Sequence, residues 1–280
     1  MVTGATSGIG KETARELARL GATVVVAGRS RERATATVEE IRRETGNESV
    51  EFMLADLSSQ AEVRRLAEEF KERHQRLDVL VNNAGGIFVS RRASTDGIEM
   101  TFALNHLSYF LLTSLLLDRL RSSAPTRIVN VSSKAHENTA MDFGDLECRK
   151  RYRFGSRAYR LSKLGNVLFT YELARRLEGT GVTVNALHPG LVSTNLFSNN
   201  GVLGRAVTFL VRWRGMSPPE GARTCVYLAA SPEVEGKTGD YYDDCKAVAS
   251  SAASRDGMAA TRLWEVSAEM TGLADRSEGI

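Results

Sequence analysis

The amino-acid sequence predicts an α/β fold: one doubly wound parallel sheet of about seven strands, with helices on both faces. Three observations carry this. Short β-branched runs alternate with amphipathic helical stretches along the whole chain. The run Thr23-Val24-Val25-Val26-Ala27 does not alternate apolar with polar, as expected of a strand buried on both faces. A glycine-rich turn, Thr3-Gly4-Ala5-Thr6-Ser7-Gly8-Ile9-Gly10, stands between the first strand and the first helix.

The elements follow in order. Ile9, Thr13, Leu17 and Leu20 mark a helical face that Gly21 ends. A charged helix runs from about Arg31 to Thr45 and stops at Gly46-Asn47. Val50 to Leu54 is the third strand, and Val63, Leu66, Ala67 and Phe70 mark the helix after it. Asp78 to Val81 is the fourth strand, leading into Asn82-Asn83-Ala84-Gly85. A long helix is predicted from about Ile98 to Leu120, then a fifth strand from Thr126 to Val131. An irregular basic connection follows from Lys134 to Arg157, and a helix from near Tyr159 to Glu178-Gly179. Val182 to Leu187 is the sixth strand. Ser217-Pro218-Pro219-Glu220 starts a helix to about Ala230, with an N-cap serine and an early proline. Gly239 to Tyr242 is a short last strand, Ala247 to Ser254 a surface loop, and Thr261 to Thr271 a terminal helix. Nothing marks a second domain.

Only Met1 and Val2 precede the turn, fewer residues than a central strand needs. The first strand is therefore expected to be truncated, with further strand residues or an anchor upstream in the natural chain. The 280 residues carry a net charge of +3, which does not argue for nucleic acid. Cys148, Cys225 and Cys245 form no CxxC pair and fit a reducing compartment, so the expected location is the cytoplasm. The most apolar helix, Phe102 to Leu117, contains Asn105, His106, Ser108, Thr113 and Ser114 and reads as a core helix rather than a membrane span.

Several residues point to chemistry. In the glycine turn, Gly4, Thr6, Ser7, Gly8, Ile9 and Gly10 offer backbone N–H groups at a helix N-terminus, where a pyrophosphate can approach. The second strand ends Gly28-Arg29, where an acidic residue would bind an adenosine ribose and repel a 2′-phosphate. A guanidinium there clamps a phosphate instead, which favours NADP(H) over NAD(H). Arg31 and Arg33 either assist or form a solvated helix start. Asp56, before Leu57, either accepts from an adenine amino group or shares with Ser58 the role of helix cap. Asn83, Ala84 and Gly85 hold a bend that passes over a ribose, or a plain turn.

Tyr159 and Lys163 lie one turn apart on a helical face. The ammonium and the helix N-terminus are expected to lower the phenol pKa, making Tyr159 a proton donor or acceptor for a carbonyl/alcohol pair. Lys163 is also placed to hold a ribose. Ser133 can hydrogen-bond the reacting oxygen, with Ser132 as its neighbour and competitor. Asn105 inside an apolar helix either positions a water that relays protons to Lys163 or makes a structural hydrogen bond.

These motifs together resemble the short-chain dehydrogenase/reductase family. Thr3 to Gly10 matches its TGxxxGIG turn, Asn82 to Gly85 its NNAG, Tyr159 to Lys163 its YxxxK, and Pro189-Gly190 its PG after the sixth strand. The resemblance implies a Rossmann-type fold and a catalytic tetrad of Asn105, Ser133, Tyr159 and Lys163. It also implies cofactor contacts from Pro189, Gly190, Val192 and Thr194. Asn105-His106-Leu107, Ser133-Lys134-Ala135-His136, Asp142-Phe143-Gly144-Asp145-Leu146 and Ser162 to Phe169 look like the retinol dehydrogenase-like branch, whose members are mostly NADP(H)-dependent.

Leu191 to Met216 is expected to be a substrate lid, and its apolar residues, Phe197, Phe209 and Trp213 among them, favour a hydrophobic substrate. A helix packed on the core or on a second subunit is the other reading. Arg205, Arg212 and Arg214 permit contact with a membrane surface. A homodimer through the long helices is common in the family. Arg149-Lys150-Arg151-Tyr152-Arg153 reads as a solvated loop. A non-catalytic NADP(H)-binding sensor is the rival to an enzyme, and the intact Asn-Ser-Tyr-Lys set argues against it.

Overall fold

A computed structural model of the protein describes residues 1–192, 200 and 216–273. Eight strands form one sheet in the order β3-β2-β1-β4-β5-β6-β7-β8. They are β1 (Val2–Thr3), β2 (Val24–Gly28), β3 (Val50–Leu54), β4 (Val79–Asn82), β5 (Thr126–Val131), β6 (Val182–His188), β7 (Tyr241–Asp243) and β8 (Lys246–Val248). All neighbouring pairs are parallel except β7 with β8. The helices are α1 (Gly8–Arg19), α2 (Arg31–Thr45), α3 (Gln60–Arg73), α4 (Met100–Ser122), α5 (Ser156–Arg176), α6 (Pro218–Ala230) and α7 (Gly257–Met270).

β1 is two residues long and sits at the centre, with Val2 opposite Val26 on one side and Val81 on the other. The buried amino group of Met1 donates to the Val79 carbonyl at 2.8 Å. Strand order reverses between β1 and β4, which opens a crevice at their C-terminal ends, the usual ligand position in such sheets. Two apolar layers enclose the sheet. Leu66, Phe70, Leu111, Leu116, Phe169 and Trp264 pack one face under α3, α4, α5 and α7. Leu17, Ile41, Val129 and Leu228 pack the other under α1, α2 and α6.

At the outer edge of the sheet, β3 is guarded by arginines. Arg42 donates from Nε and Nη2 to the Val50 carbonyl at 3.0 and 2.7 Å, and Arg65 donates to the Leu54 carbonyl.

The structure departs from the sequence reading in four places. The eighth strand replaces part of the expected loop at 247–254, because Asp244 and Cys245 adopt left-handed backbone (φ 46 and 61°) and turn the chain straight back. A short 3₁₀ turn, Ala252–Arg255, takes up most of the rest. The helices predicted from Tyr159 and Thr261 begin earlier, at Ser156 and at Gly257, where the Asp256 side chain caps α7. Finally, α4 is interrupted by a π-helical stretch over Ala103–Leu107. Helix α4 is apolar and long enough to cross a membrane by composition, but 78% of its apolar window is buried in the fold, so it is a core helix.

Candidate active site

The glycine turn is built by close approach. Gly4 and Gly8 have φ of +64 and +57°, left-handed values that favour glycine. A Cβ on Gly4 would stand 2.8 Å from the Ala84 Cα, and one on Gly10 would stand 2.6 Å from the Gly4 carbonyl oxygen. The turn therefore lies directly on the end of β4. The Thr3 hydroxyl accepts from the Asn83 and Ala84 N–H groups at 2.9 and 3.1 Å, and Asn83 Nδ2 donates to the Thr3 carbonyl at 2.8 Å. The Asn83 side chain is thus engaged in tying strand end to turn, while Gly85 is exposed beside it. Ser7, in extended conformation, precedes α1, and its side chain makes no capping bond.

The neighbouring strand ends complete this side. A Cβ on Gly28 would lie 2.6 Å from the Thr6 Cγ2, so Thr6 packs against β2. Arg29 follows it and is exposed. The Arg31 guanidinium lies over the Phe52 ring, 5.7 Å from its centroid. Asp56 accepts from the Ser58 N–H at 3.0 Å and its hydroxyl at 2.7 Å, and Leu57 is buried. Neither Asp56 nor Ser58 caps α3. Ser59 does, its hydroxyl accepting from the Glu62 N–H.

The second side is made of side chains. β5 delivers Ser132 and Ser133. The buried Ser132 hydroxyl donates to the Lys163 carbonyl at 2.7 Å and so holds α5 to β5. The Ser133 hydroxyl accepts from the Ala135 N–H at 3.2 Å and acts on the Tyr159 phenol to lower its pKa. Lys163 Nζ lies 5.8 Å from the centroid of the Tyr159 ring and donates to the Val131 carbonyl at 2.8 Å. Asn105 sits on the π-helical stretch, a feature frequent at functional sites. Its Oδ1 accepts from the Gly86 N–H at 2.9 Å, and its Nδ2 donates to the Gly86 carbonyl and the Ser162 hydroxyl, both at 3.1 Å. The Asn105 side chain thus makes structural hydrogen bonds on both its oxygen and its nitrogen.

The electrostatics differ from expectation. Burial pushes the Tyr159 phenol above its ordinary value, and the hydrogen bond from Ser133 pulls it partly back. Burial also lowers Lys163 to about 7. The expected lowering of the phenol by the ammonium is not found, because Nζ points at the Val131 carbonyl rather than at the phenol oxygen.

Comparison with known proteins agrees with this geometry. Residues 1–201 match the short chain dehydrogenase family. The chain belongs to the short-chain dehydrogenase family. Mouse retinol dehydrogenase 14 is 45% identical over 286 residues, covering 98% of this chain and 85% of the relative. Human retinol dehydrogenase 12 is 44% identical over 278 residues, covering 98% and 86%. Among solved structures, an uncharacterized protein from Mycobacterium Paratuberculosis superposes with a TM-score of 0.77 at 34% identity, covering 96% of this chain and 91% of that one. The Pseudomonas aeruginosa RhlG/NADP active-site complex superposes with a TM-score of 0.67 at 29% identity, covering 86% and 91%. This dehydrogenase is thus an oxidoreductase of a nicotinamide-dependent family, similar to retinol dehydrogenases.

The third wall of the site follows β6. Pro189 is half-buried, and Gly190 has φ +86°, with the Met216 Sδ 2.5 Å from where its Cβ would be. The Met216 N–H donates to the Leu191 carbonyl at 2.7 Å, and Val192 pairs with Met216, so the two ends of segment 191–216 meet. Val192 packs on Gly221 at the start of α6, where a Cβ would stand 2.4 Å from its Cγ2. Asn200 donates to the Ile87 carbonyl at 2.7 Å and accepts from the Val89 N–H at 2.9 Å. Thr194 and most of the expected lid lie outside the described residues.

Sequence reasoning passed over Ser162, which bridges Asn105 to the Tyr159 carbonyl (2.8 Å), and Asn166 one turn further on. Their places one turn apart on α5, beside Lys163, were the available signal. It also passed over Glu99, fully buried, which caps α4 by accepting from the Thr101 and Phe102 N–H groups at 2.9 and 2.7 Å. The Tyr152 hydroxyl donates to Glu99 at 2.9 Å and anchors the basic loop before α5.

Proposed function

We propose that this dehydrogenase transfers hydride reversibly between NADP(H) and a hydrophobic carbonyl/alcohol pair. The observation that carries it is the gathering of Ser133 after β5 with Tyr159 and Lys163 on α5, the Lys163 Nζ 5.8 Å from the Tyr159 ring and Ser133 acting to lower the phenol. The residues present fit a dinucleotide. The turn around Gly4 leaves no room for a side chain toward Ala84, and α1 begins immediately after it, so backbone N–H groups and the helix dipole favour a pyrophosphate there.

The cofactor supplies the hydride. Ser133 and Tyr159 converge on the substrate oxygen, and Tyr159 passes the proton. The Ser133 hydroxyl favours the phenolate and so counters the effect of burial. Lys163, lowered to about 7 by burial, exchanges a proton near neutrality beside the Tyr159 ring. Asn105 holds the Gly86 backbone and the first turns of α5 in register. Exposed Arg29 after Gly28, without an acid at that position, supports NADP(H). The NADP complex of the similar RhlG structure agrees. The exposed Leu191, at the entry to an apolar segment, supports a hydrophobic substrate.

A screen of aldehydes and ketones with NADPH and NADH side by side tests this. Turnover of apolar carbonyls with NADPH at least tenfold more efficient than with NADH is expected. Preference for NADH, or turnover of small polar carbonyls alone, overturns the finer reading.

A further inference from the structure

The π-helical stretch of α4 grips α5 at two points. Asn105 reaches Ser162 and its neighbour His106 reaches Asn166, the two targets standing one turn apart with Lys163 between them. Asn166 Nδ2 donates at 3.3 Å to the Val131 carbonyl, the same oxygen that accepts Lys163 Nζ at 2.8 Å. His106, Asn166 and Ser267 are fully buried, so each polar atom must find its partner inside the protein.

That requirement fixes every donor. A carbonyl only accepts, so Asn166 turns its NH2 to Val131 and its Oδ1 to His106. Oδ1 only accepts, so His106 carries its proton on Nδ1, 3.3 Å away. Nε2 is then the acceptor for the Ser267 hydroxyl of α7 at 3.0 Å. Gly165 permits the approach, since a Cβ there would stand 3.0 Å from His106 Nδ1.

We propose that Asn166 and His106 are positioning residues for Lys163, and that through Ser267 the C-terminal helix sets where the ammonium sits. The chain runs from α7 through one imidazole and one amide to the oxygen on which Lys163 is anchored. Neither residue touches the reacting atoms. The claim of an effect on turnover rests on the function proposed above, whereas the placement of Lys163 does not.

The test pairs His106→Phe, which removes the N–H, with His106→Asn, which can return one to the Asn166 oxygen. Asn166→Leu removes the amide while keeping the number and branching of side-chain heavy atoms, and Leu228→Ala, in the opposite apolar layer, controls for lost stability. Reductive methylation of Lys163, followed by peptide mass spectrometry without cofactor, reads its placement. His106→Phe and Asn166→Leu are expected to react at least fivefold faster at Lys163, with His106→Asn and Leu228→Ala within twofold of the parent. Nitrogen-15 correlation spectra should show the Nδ1–H tautomer of His106. In turnover, kcat should fall 10- to 100-fold in His106→Phe and Asn166→Leu while KM for NADPH stays within threefold. An Nε2–H tautomer, or an unchanged Lys163 rate in Asn166→Leu, overturns the proposal. So do equal rates in the two His106 variants. A parent protein that reduces no carbonyl refutes the functional reading, and the labelling still decides this one.

Discussion

The two sides of the crevice are made by opposite means. Around β1, β2 and the end of β4 the shape comes from missing side chains: Gly4, Gly10 and Gly28 let backbone and Thr6 approach to distances a Cβ would forbid. Around β5, α4 and α5 it comes from buried polar side chains in a hydrogen-bonded network: Asn105, Ser132, Ser162, Lys163 and Asn166. A steric site tolerates no added atom, whereas a network tolerates no lost partner.

Four measurements sharpen or break this contrast. The largest effect is expected on the network side. Tyr159→Phe should lower kcat by about a thousandfold or more, since it removes the proton that general acid catalysis requires, while NADPH affinity stays within severalfold. A variant that keeps a tenth of parental turnover breaks the assignment.

On the steric side, Gly10→Ala places a methyl 2.4 Å from Asn83 Nδ2 and 2.6 Å from the Gly4 carbonyl oxygen, which is backbone and cannot swing away. Destabilisation of about 1–3 kcal/mol is expected, as for overpacking, together with loss of NADPH binding by titration calorimetry. Unaltered binding would mean that the turn relaxes freely. Arg29→Glu should exchange cofactor preference rather than abolish activity, moving the NADPH/NADH ratio of kcat/KM by about one to two orders of magnitude, as loss of a charge-assisted phosphate contact implies.

The last measurement concerns acid, and at pH 5 only part of its effect is developed. Burial lowers His106 and His188 to about 4 each. Unfolded, they titrate near 6.5, so between these values the unfolded chain binds more protons, and stability falls as pH drops from 6.5 toward 4. The full contribution is up to about 3 kcal/mol for His106. Hydrogen exchange at pH 5 should show α4, α5 and α7 loosening before α1 and α2. Uniform loosening would mean that the two sides are not separate in stability.

The same contrast explains what could be read from sequence. Glycines at fixed spacing after a strand are a local pattern, so the turn, its partner at Asn83 to Gly85 and the central place of the first strand all followed from residue order. Tyr159 and Lys163 were legible through helical spacing. The network was not, because its bonds join residues such as His106 and Ser267 that are far apart in the chain. The π-helical stretch left no mark either, since α4 is apolar on nearly every side at 102–113 and its periodicity carries no phase. The eighth strand was missed because Asp244-Cys245 turns through left-handed backbone without glycine. The phenol shift was misjudged because spacing along a helix does not say what depth the group reaches or where Nζ points.

The arginines on β3 have a consequence for the protein in a crowded solution. An outermost strand with bare carbonyls is a template on which a neighbour's strand can add, and a sheet extended in this way grows without limit. Here the Val50 and Leu54 oxygens are already taken by guanidinium groups from α2 and α3. A second sheet would have to evict two charged side chains and then lie beside them. Those two oxygens are thus withdrawn from any strand that would add at this edge.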